Sequence, residues 1–339
     1  MATLPTPWRL PALIALLVVL GTAAVMLMLR PSSTPTGTAK TERSYRIGYQ
    51  EIALYRHVFV AQEKGYFRQA GVQVELVPFT SANQMMIALL AGQIDVAGLT
   101  NLEVALKVES EEPDRFEIVN FLVWTQEAYP DYILDCTPGQ RLQRLSQLEG
   151  RHLGRHPGTA VAGFANAVLQ RAGVDPERVR QTELQPNLMG DAVRSGSVDA
   201  LYAMDPAATR LVQAGSCDVL LSNPLGTVVQ SPIPISGTAL SRNLLTSDPA
   251  AAGAITRALD AAIAFTRRPG TERQVAQIIS RYTRINADEA LAMNPSRYWT
   301  TNEIDPVRVQ AVADQFRALG ISSAPVSSRS MMLLPPRGN

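Results

Sequence analysis

Three histidines and a set of strand-end polar residues are the side chains through which this chain could do chemistry. The histidines are His57, His152 and His156, and no two stand at metal-ligand spacing on a helix or beside a cysteine. No zinc site is therefore expected. A G-x-S-x-G elbow, a phosphate-cradling glycine loop and an H-E-x-x-H helix are all absent. His57 falls within an expected helix and His152 at the start of an expected strand, where packing or surface roles suit both. His156 precedes a helix and is the one placed to touch a ligand. No catalytic residue, metal or cofactor is expected, which leaves binding as the chemistry to explain.

Polar residues collect where expected strands give way to helices: Tyr49 and Gln50, Thr80 and Ser81, Thr100 and Asn101, then His156, Gly158 and Thr159, then Asn187, and finally Asp205. In open parallel sheets ligands bind beyond the carboxyl ends of the strands. A helix start there offers unpaired N–H groups and a partial positive charge, enough to hold an oxyanion without arginine. Thr80, Ser81, Thr100 and Thr159 serve equally well as helix caps. Tyr49, Tyr55, Trp124, Tyr129 and Tyr202 are expected to supply an aromatic wall, Trp124 above all. Asp205 and Glu51 oppose a bare anion and favour an amine or a heterocycle N–H. Asp205 is also suited to cap the helix that Pro206 opens.

The elements that must position these residues alternate. Strands are expected at 45–49, 72–76, 94–97 and 116–123, with helices between them. Gly65 and Gly92 stand where left-handed residues end helices. The same grammar restarts at Ile133, with strands at 152–154, 181–184 and 198–202 and a helix over 159–171 closed by Gly173. Such alternation predicts parallel sheets with helices on both faces. Ala88 to Val96 echoes Ala192 to Ala200: a helix end, a glycine, then an apolar strand entered through Asp95 or Asp199. Two similar α/β lobes imply a cleft between them. The last third reads as helices packed on the first lobe, opened by Asp248-Pro249, Thr271, Asn286 and Asp305-Pro306. The chain then crosses between lobes twice, near 125–131 and near 232–237.

Leu10 to Leu29 carries no charge and is long enough to span a bilayer as a helix. It reads as an uncleaved anchor or a cleaved signal, and either exports the rest of the chain. A linker rich in Thr, Ser and Pro follows over 31–44, and a tail over 322–339 reads as flexible. The formal net charge of +1, with arginines spread along the chain, argues against a nucleic-acid footprint. Cys136 and Cys217 lie in the same expected lobe; an exported location permits a disulfide, and two separate buried thiols are the alternative.

With these features in place, the chain resembles the solute-binding proteins of importers for nitrate, sulfonates, taurine and thiamine-pyrimidine precursors. The likeness is carried by Ala61-Gln62-Glu63-Lys64-Gly65-Tyr66-Phe67, Ala70-Gly71-Val72 and the stretch Ala88 to Val96. Leu148-Glu149-Gly150-Arg151, Pro157-Gly158-Thr159, Gly196 to Ala200 and Asp205-Pro206 complete it. The resemblance implies a type II periplasmic binding fold, α/β with two lobes and two hinge crossovers, in which two strands form the hinge. Lobe 1 would take residues 45–126 and 236–321, and lobe 2 residues 127–235, after an anchor or signal over 1–30. It implies a small solute in the cleft, a sulfonate, a nitrate-like oxyanion or a pyrimidine-like heterocycle. Partners would be the permease and ATPase subunits of an ABC importer. A membrane-tethered sensor lobe for the same kind of ligand is the alternative. Eukaryotic pyrimidine-precursor synthases share the fold, but their cysteine-rich motif is absent here.

Overall fold

The echoed aspartates build the same structure twice. In a computed structural model of the protein, which describes residues 43–139, 141–323 and 327–333, the Asp95 carboxylate accepts the N–H of Arg46 at 2.8 Å. Its own N–H donates to the Arg46 carbonyl at 2.9 Å. Asp199 repeats both bonds with His152, each at 2.8 Å. Each aspartate thus pins the start of one strand beside the next, and each is preceded by a left-handed glycine, Gly92 or Gly196. The expected anchor over 10–29 and nearly all of the linker lie outside the described residues. Among the described residues no helix is long and apolar enough to cross a membrane.

The first lobe opens with β1 (Ser44–Tyr49), α1 (Arg56–Glu63), α2 (Tyr66–Gln69), β2 (Gln73–Pro78), α3 (Ala82–Leu90), β3 (Val96–Asn101), α4 (Leu102–Glu111) and β4 (Phe116–Trp124). The second holds β5 (Asp131–Asp135), β6 (His152–Arg155), α5 (Thr159–Arg171), β7 (Arg180–Glu183), α6 (Met189–Arg194), β8 (Ala200–Met204), α7 (Ala207–Gln213) and β9 (Asp218–Ser222). The chain then returns through β10 (Ile233–Ser241), α8 (Arg242–Ser247), α9 (Pro249–Thr266), α10 (Glu272–Tyr282), α11 (Ala287–Ala292), β11 (Arg297–Trp299) and α12 (Pro306–Ala318). Helix starts follow the expected chemistry. Asp248 and Asp305 cap helices entered through proline, and Asn286 forms a capping box with Glu289.

The sheet orders are β2-β1-β3-β10-β4-β11 and β7-β6-β8-β5-β9. The cores β2-β1-β3 and β7-β6-β8 are parallel, as the alternation implied. The sheets as wholes are mixed, because β10 and β5 run antiparallel to their neighbours. These two strands are the ones that arrive from the other lobe, so the crossover sets their direction. The crossing segments are 125–130 and 223–232, so the second lies just before the 232–237 expected for it. They are turns rather than strands, since Pro130, Pro224 and Pro232 cannot donate to a ladder. β9, β10 and β11 went unread in the sequence. β10 is buried along its whole length and shows no alternation, and its Pro234 and Gly237 imitate loop residues. A Cβ on Gly237 would stand 2.4 Å from the Ile118 side chain, so glycine is needed for β10 to approach β4.

One apolar core runs through lobe 1 and into lobe 2, where Phe164 of α5 meets Phe316 of α12 at 5.5 Å between ring centres. A smaller core backs the lobe 2 sheet. Within it Cys136 and Cys217 are disulfide-bonded, which decides between the two readings of the cysteines and ties the end of β5 to the start of β9. The expected flexible tail is corrected in part. Ser328 and Met331 are fully buried, and the Leu333 N–H donates to the Ile118 carbonyl of β4 at 2.9 Å. Burial of Met331 and Met332 supplies the driving force that a count of serines and prolines missed.

Candidate functional site

The carboxyl ends of both parallel cores face one another across a cavity of about 910 Å³. Lobe 1 lines it with the turn after β1 and one face of α3 and of α4 along their length; lobe 2 lines it with the segments leading into α5, α6 and α7. Met293 and Ile321, from the C-terminal third, complete the wall. Most of the lining is aliphatic, with polar groups at the strand ends, the composition of a small-molecule site. A second recess of about 230 Å³, beside the Glu63–Arg281 ion pair, is lined by lobe 1 alone.

Gln50 is held on both sides. Its side-chain N–H donates to the Thr80 carbonyl at 3.1 Å, and the buried Tyr55 hydroxyl lies 3.2 Å from its Oε1. Asn101 accepts from the Ser236 hydroxyl at 3.0 Å. Its amide also donates to Glu103 in the first turn of α4. Burial pushes the Glu103 carboxyl up to about 7, against the pull of its own backbone N–H and of Asn101. Ser81 caps α3 by accepting from the Gln84 N–H at 3.2 Å.

Across the cleft, the Asp205 carboxylate accepts from the Thr209 hydroxyl at 2.5 Å and from its N–H at 3.3 Å, so it does cap α7. Its other oxygen accepts the N–H of Asn294 from lobe 1 at 3.1 Å. Burial raises the Asp205 carboxyl, and the hydrogen bonds from Thr209 and Asn294 oppose that rise. The His156 Nε2 accepts the Met204 N–H at 3.2 Å, which places the ring proton on Nδ1. Burial lowers the His156 imidazole to about 4, so it is neutral near pH 7. Gly158 donates its N–H to Glu183 at 3.3 Å, and Thr159 begins α5 behind it.

Gln50, Thr80, Ser81, Asn101, His156, Gly158 and Asp205 are thus brought to one cavity. Tyr49, Thr100, Trp124, Asn187 and Tyr202 do not line it. Strand geometry is the reason for three of these. Alternate residues point to opposite faces, and Thr100, Trp124 and Tyr202 turn into the cores of their sheets. The Tyr202 hydroxyl donates to Asp131 at 3.0 Å. Tyr49 packs edge-on against Phe59 at 5.4 Å, and Asn187 is exposed on a short turn. Tyr55 and Tyr129 also stay out of the lining, so the expected aromatic wall does not form. Glu51 faces solvent and pairs with Arg284 at 3.6 Å. Gln185 and Met204 line the cavity from strand ends where a ligand was expected, whereas Glu103, Met293 and Ile321 were not anticipated. Glu103 had a readable signal, an acidic residue two positions after a strand-end Asn in a first helical turn. Met293 and Ile321 had none, because tertiary packing brings them to the cleft.

Two mixed α/β sheets joined by two crossovers, with a cavity between their carboxyl edges, define the periplasmic binding protein fold. The chain resembles a periplasmic aliphatic sulphonate-binding protein of Escherichia coli at TM-score 0.69 and 20% identity, covering 87% of this chain and 94% of that one. A ligand-binding component of an ABC-type import system from Staphylococcus aureus matches at TM-score 0.68 and 17% identity, over 86% and 97% of the two chains. The periplasmic nitrate-binding protein of Synechocystis PCC 6803 matches at 0.65 and 15%, over 85% and 84%. At these identities the likeness establishes the fold. No curated protein matches in sequence. The family described as NMT1/THI5 like matches residues 55–269, and the chain belongs to it.

Proposed function

We propose that this protein is the extracytoplasmic solute-binding component of an ABC-type importer and captures a small solute between its lobes. The observation that carries the reading is the cavity of about 910 Å³ lined by both lobes. That size suits one small molecule. Gln50, Thr80, Ser81, Asn101, His156, Gly158 and Asp205 are the proposed contacts. Thr159 belongs with them through its place at the head of α5. A solute touching both lobes favours the closed arrangement by its differential affinity and so reports occupancy to a permease. Residues 10–29 serve as the tether. The solved neighbours described as binding proteins support binding rather than turnover. A thermal-shift screen of the full chain in detergent tests this against sulfonates, nitrate, heterocycles and amines. A solute at 100 times its Kd should add about 2.7 kcal/mol of stability. A panel that leaves the melting temperature unmoved throughout refutes the reading.

A further inference from the structure

Building on the solute-binding reading, the structure assigns Glu103 and Asp205 as the groups that select a ligand carrying an N–H cation, a primary ammonium or a guanidinium, over an oxyanion. The cavity between the lobes marks the site; the two carboxylates set its preference. Glu103 comes from lobe 1 and Asp205 from lobe 2, and both line it.

Side chains of the protein itself already oppose an anion at most of the helix starts in the cleft. Among the described residues five helices start at the cavity, and four of these starts have a side-chain acceptor in or just ahead of the first turn, whereas the Leu188 start of α6 has no side-chain cap. Ser81 answers α3, Glu103 stands in the first turn of α4, Glu183 takes the Gly158 N–H ahead of α5, and Asp205 takes the Thr209 N–H of α7. Three of the four acceptors are carboxylates, which cancel the positive field an oxyanion would use. Among the described residues no arginine lines the cavity. Its one lysine, Lys107, is 71% exposed and stands 4.0 Å from Glu111.

A cation finds the opposite situation. Among the described residues neither Glu103 nor Asp205 has a basic side chain within ion-pairing distance, so each accepts only neutral donors. An incoming ammonium could donate a charge-assisted hydrogen bond to either carboxylate, and such bonds are strong. Among the described residues no Phe, Tyr or Trp lines the cavity, so a quaternary ammonium lacks the cage it would need. Met86, Leu90, Val104 and Met204 line the same cavity and suit an aliphatic body.

The titratable and charged groups that share the lining with Glu103 are Lys107 and Glu111 on its own helix and His156 and Asp205 from lobe 2. His156 is neutral above about pH 4. Glu103, pushed up to about 7, therefore carries the change between pH 6 and 8. Affinity for a cation should rise about tenfold over that interval as Glu103 ionises.

The test uses the full chain and matched probes with one aliphatic body: n-propylamine, n-propylguanidine, propane-1-sulfonate and propan-1-ol, with nitrate as a further anion. Calorimetry and thermal shift should show the two cations binding and both anions failing. Glu103→Gln should weaken the cations at least tenfold and abolish their rise with pH. Asp205→Asn should weaken them while keeping that rise, and unliganded melting curves show whether either variant still folds. Binding of the anions in preference to the cations overturns the assignment and leaves the solute-binding role standing. So does cation binding that Glu103→Gln leaves unchanged. Silence from all five probes also overturns it; only silence across the wider solute panel counts against the binding role as well.

Discussion

The side-chain amide of Asn223 donates to the main-chain carbonyl of Thr125 at 3.2 Å, so each crossover between the lobes holds the other. The Asn223 N–H donates to the Asp131 carbonyl at 3.1 Å, and its Oδ1 accepts the Gly226 N–H at 3.2 Å. Asn223 does this from a left-handed backbone, φ 50°, which asparagine tolerates better than most residues. Asn223→Ala leaves the buried Thr125 carbonyl without this donor and strains the turn, for an expected loss of about 2–4 kcal/mol. Asn223→Gly loses the same bonds but accepts the backbone, and should be milder by about 1 kcal/mol. Guanidinium unfolding of both variants checks this; equal losses would remove the backbone from the argument.

Asp131 sits in the same knot, fully buried, accepting from the Tyr202 hydroxyl and, at 3.3 Å, from the Leu225 N–H. Its Oδ1 has no partner among the described residues. Burial pushes the carboxyl up to about 6 from 3.8. A raised acid binds its proton more tightly in the folded state. Its contribution is therefore full below pH 3.8 and is lost as pH climbs through 6. Relative to Asp131→Asn, the native protein should lose about 2–3 kcal/mol between pH 4 and pH 7. Unfolding titrations at both pH values decide it; parallel pH profiles would sink the prediction.

The disulfide closes a loop with a sequence separation of 81 residues. By the chain-entropy argument a loop of that length is worth about 4–5 kcal/mol. Replacing Cys136 and Cys217 with serine together should lower stability by up to that amount, with the loss concentrated in lobe 2. Hydrogen exchange should show β5 and β9 opening first. Uniform loosening across both lobes would contradict this placement.

Much of the fold was readable because local chemistry and tertiary packing agree there. The helix over 159–171 has the bounds its pattern implied, and the Asp95 and Asp199 echo proved to be one hydrogen-bond device used twice. Reading failed where tertiary packing decides. β10 is buried on both faces, so no alternation marks it, and its direction follows from the crossover. The site was legible at strand ends that lead into helices, such as Gln50, Asn101 and Asp205. At β3 it was illegible one residue earlier, because a step of one along a strand reverses the face. That reversal buried Thr100 and left Asn101 at the cavity.

Thr100 offers the sharpest check on that boundary. It is fully buried, and its hydroxyl has no hydrogen-bond partner among the described residues. A buried hydroxyl without a partner costs about 1–3 kcal/mol of desolvation. Valine keeps the branched shape that suits a strand and removes that cost. Thr100→Val should therefore gain about 1 kcal/mol or stay neutral in stability, and should leave n-propylamine affinity within twofold. Asn101→Ala, one residue on, should weaken the same probe by about 1–2 kcal/mol, because Asn101 orients Glu103. Calorimetry on the two variants side by side reads both effects. A tenfold loss of affinity in Thr100→Val would mean that the hydroxyl reaches the solute, which requires β3 to rearrange when the lobes close.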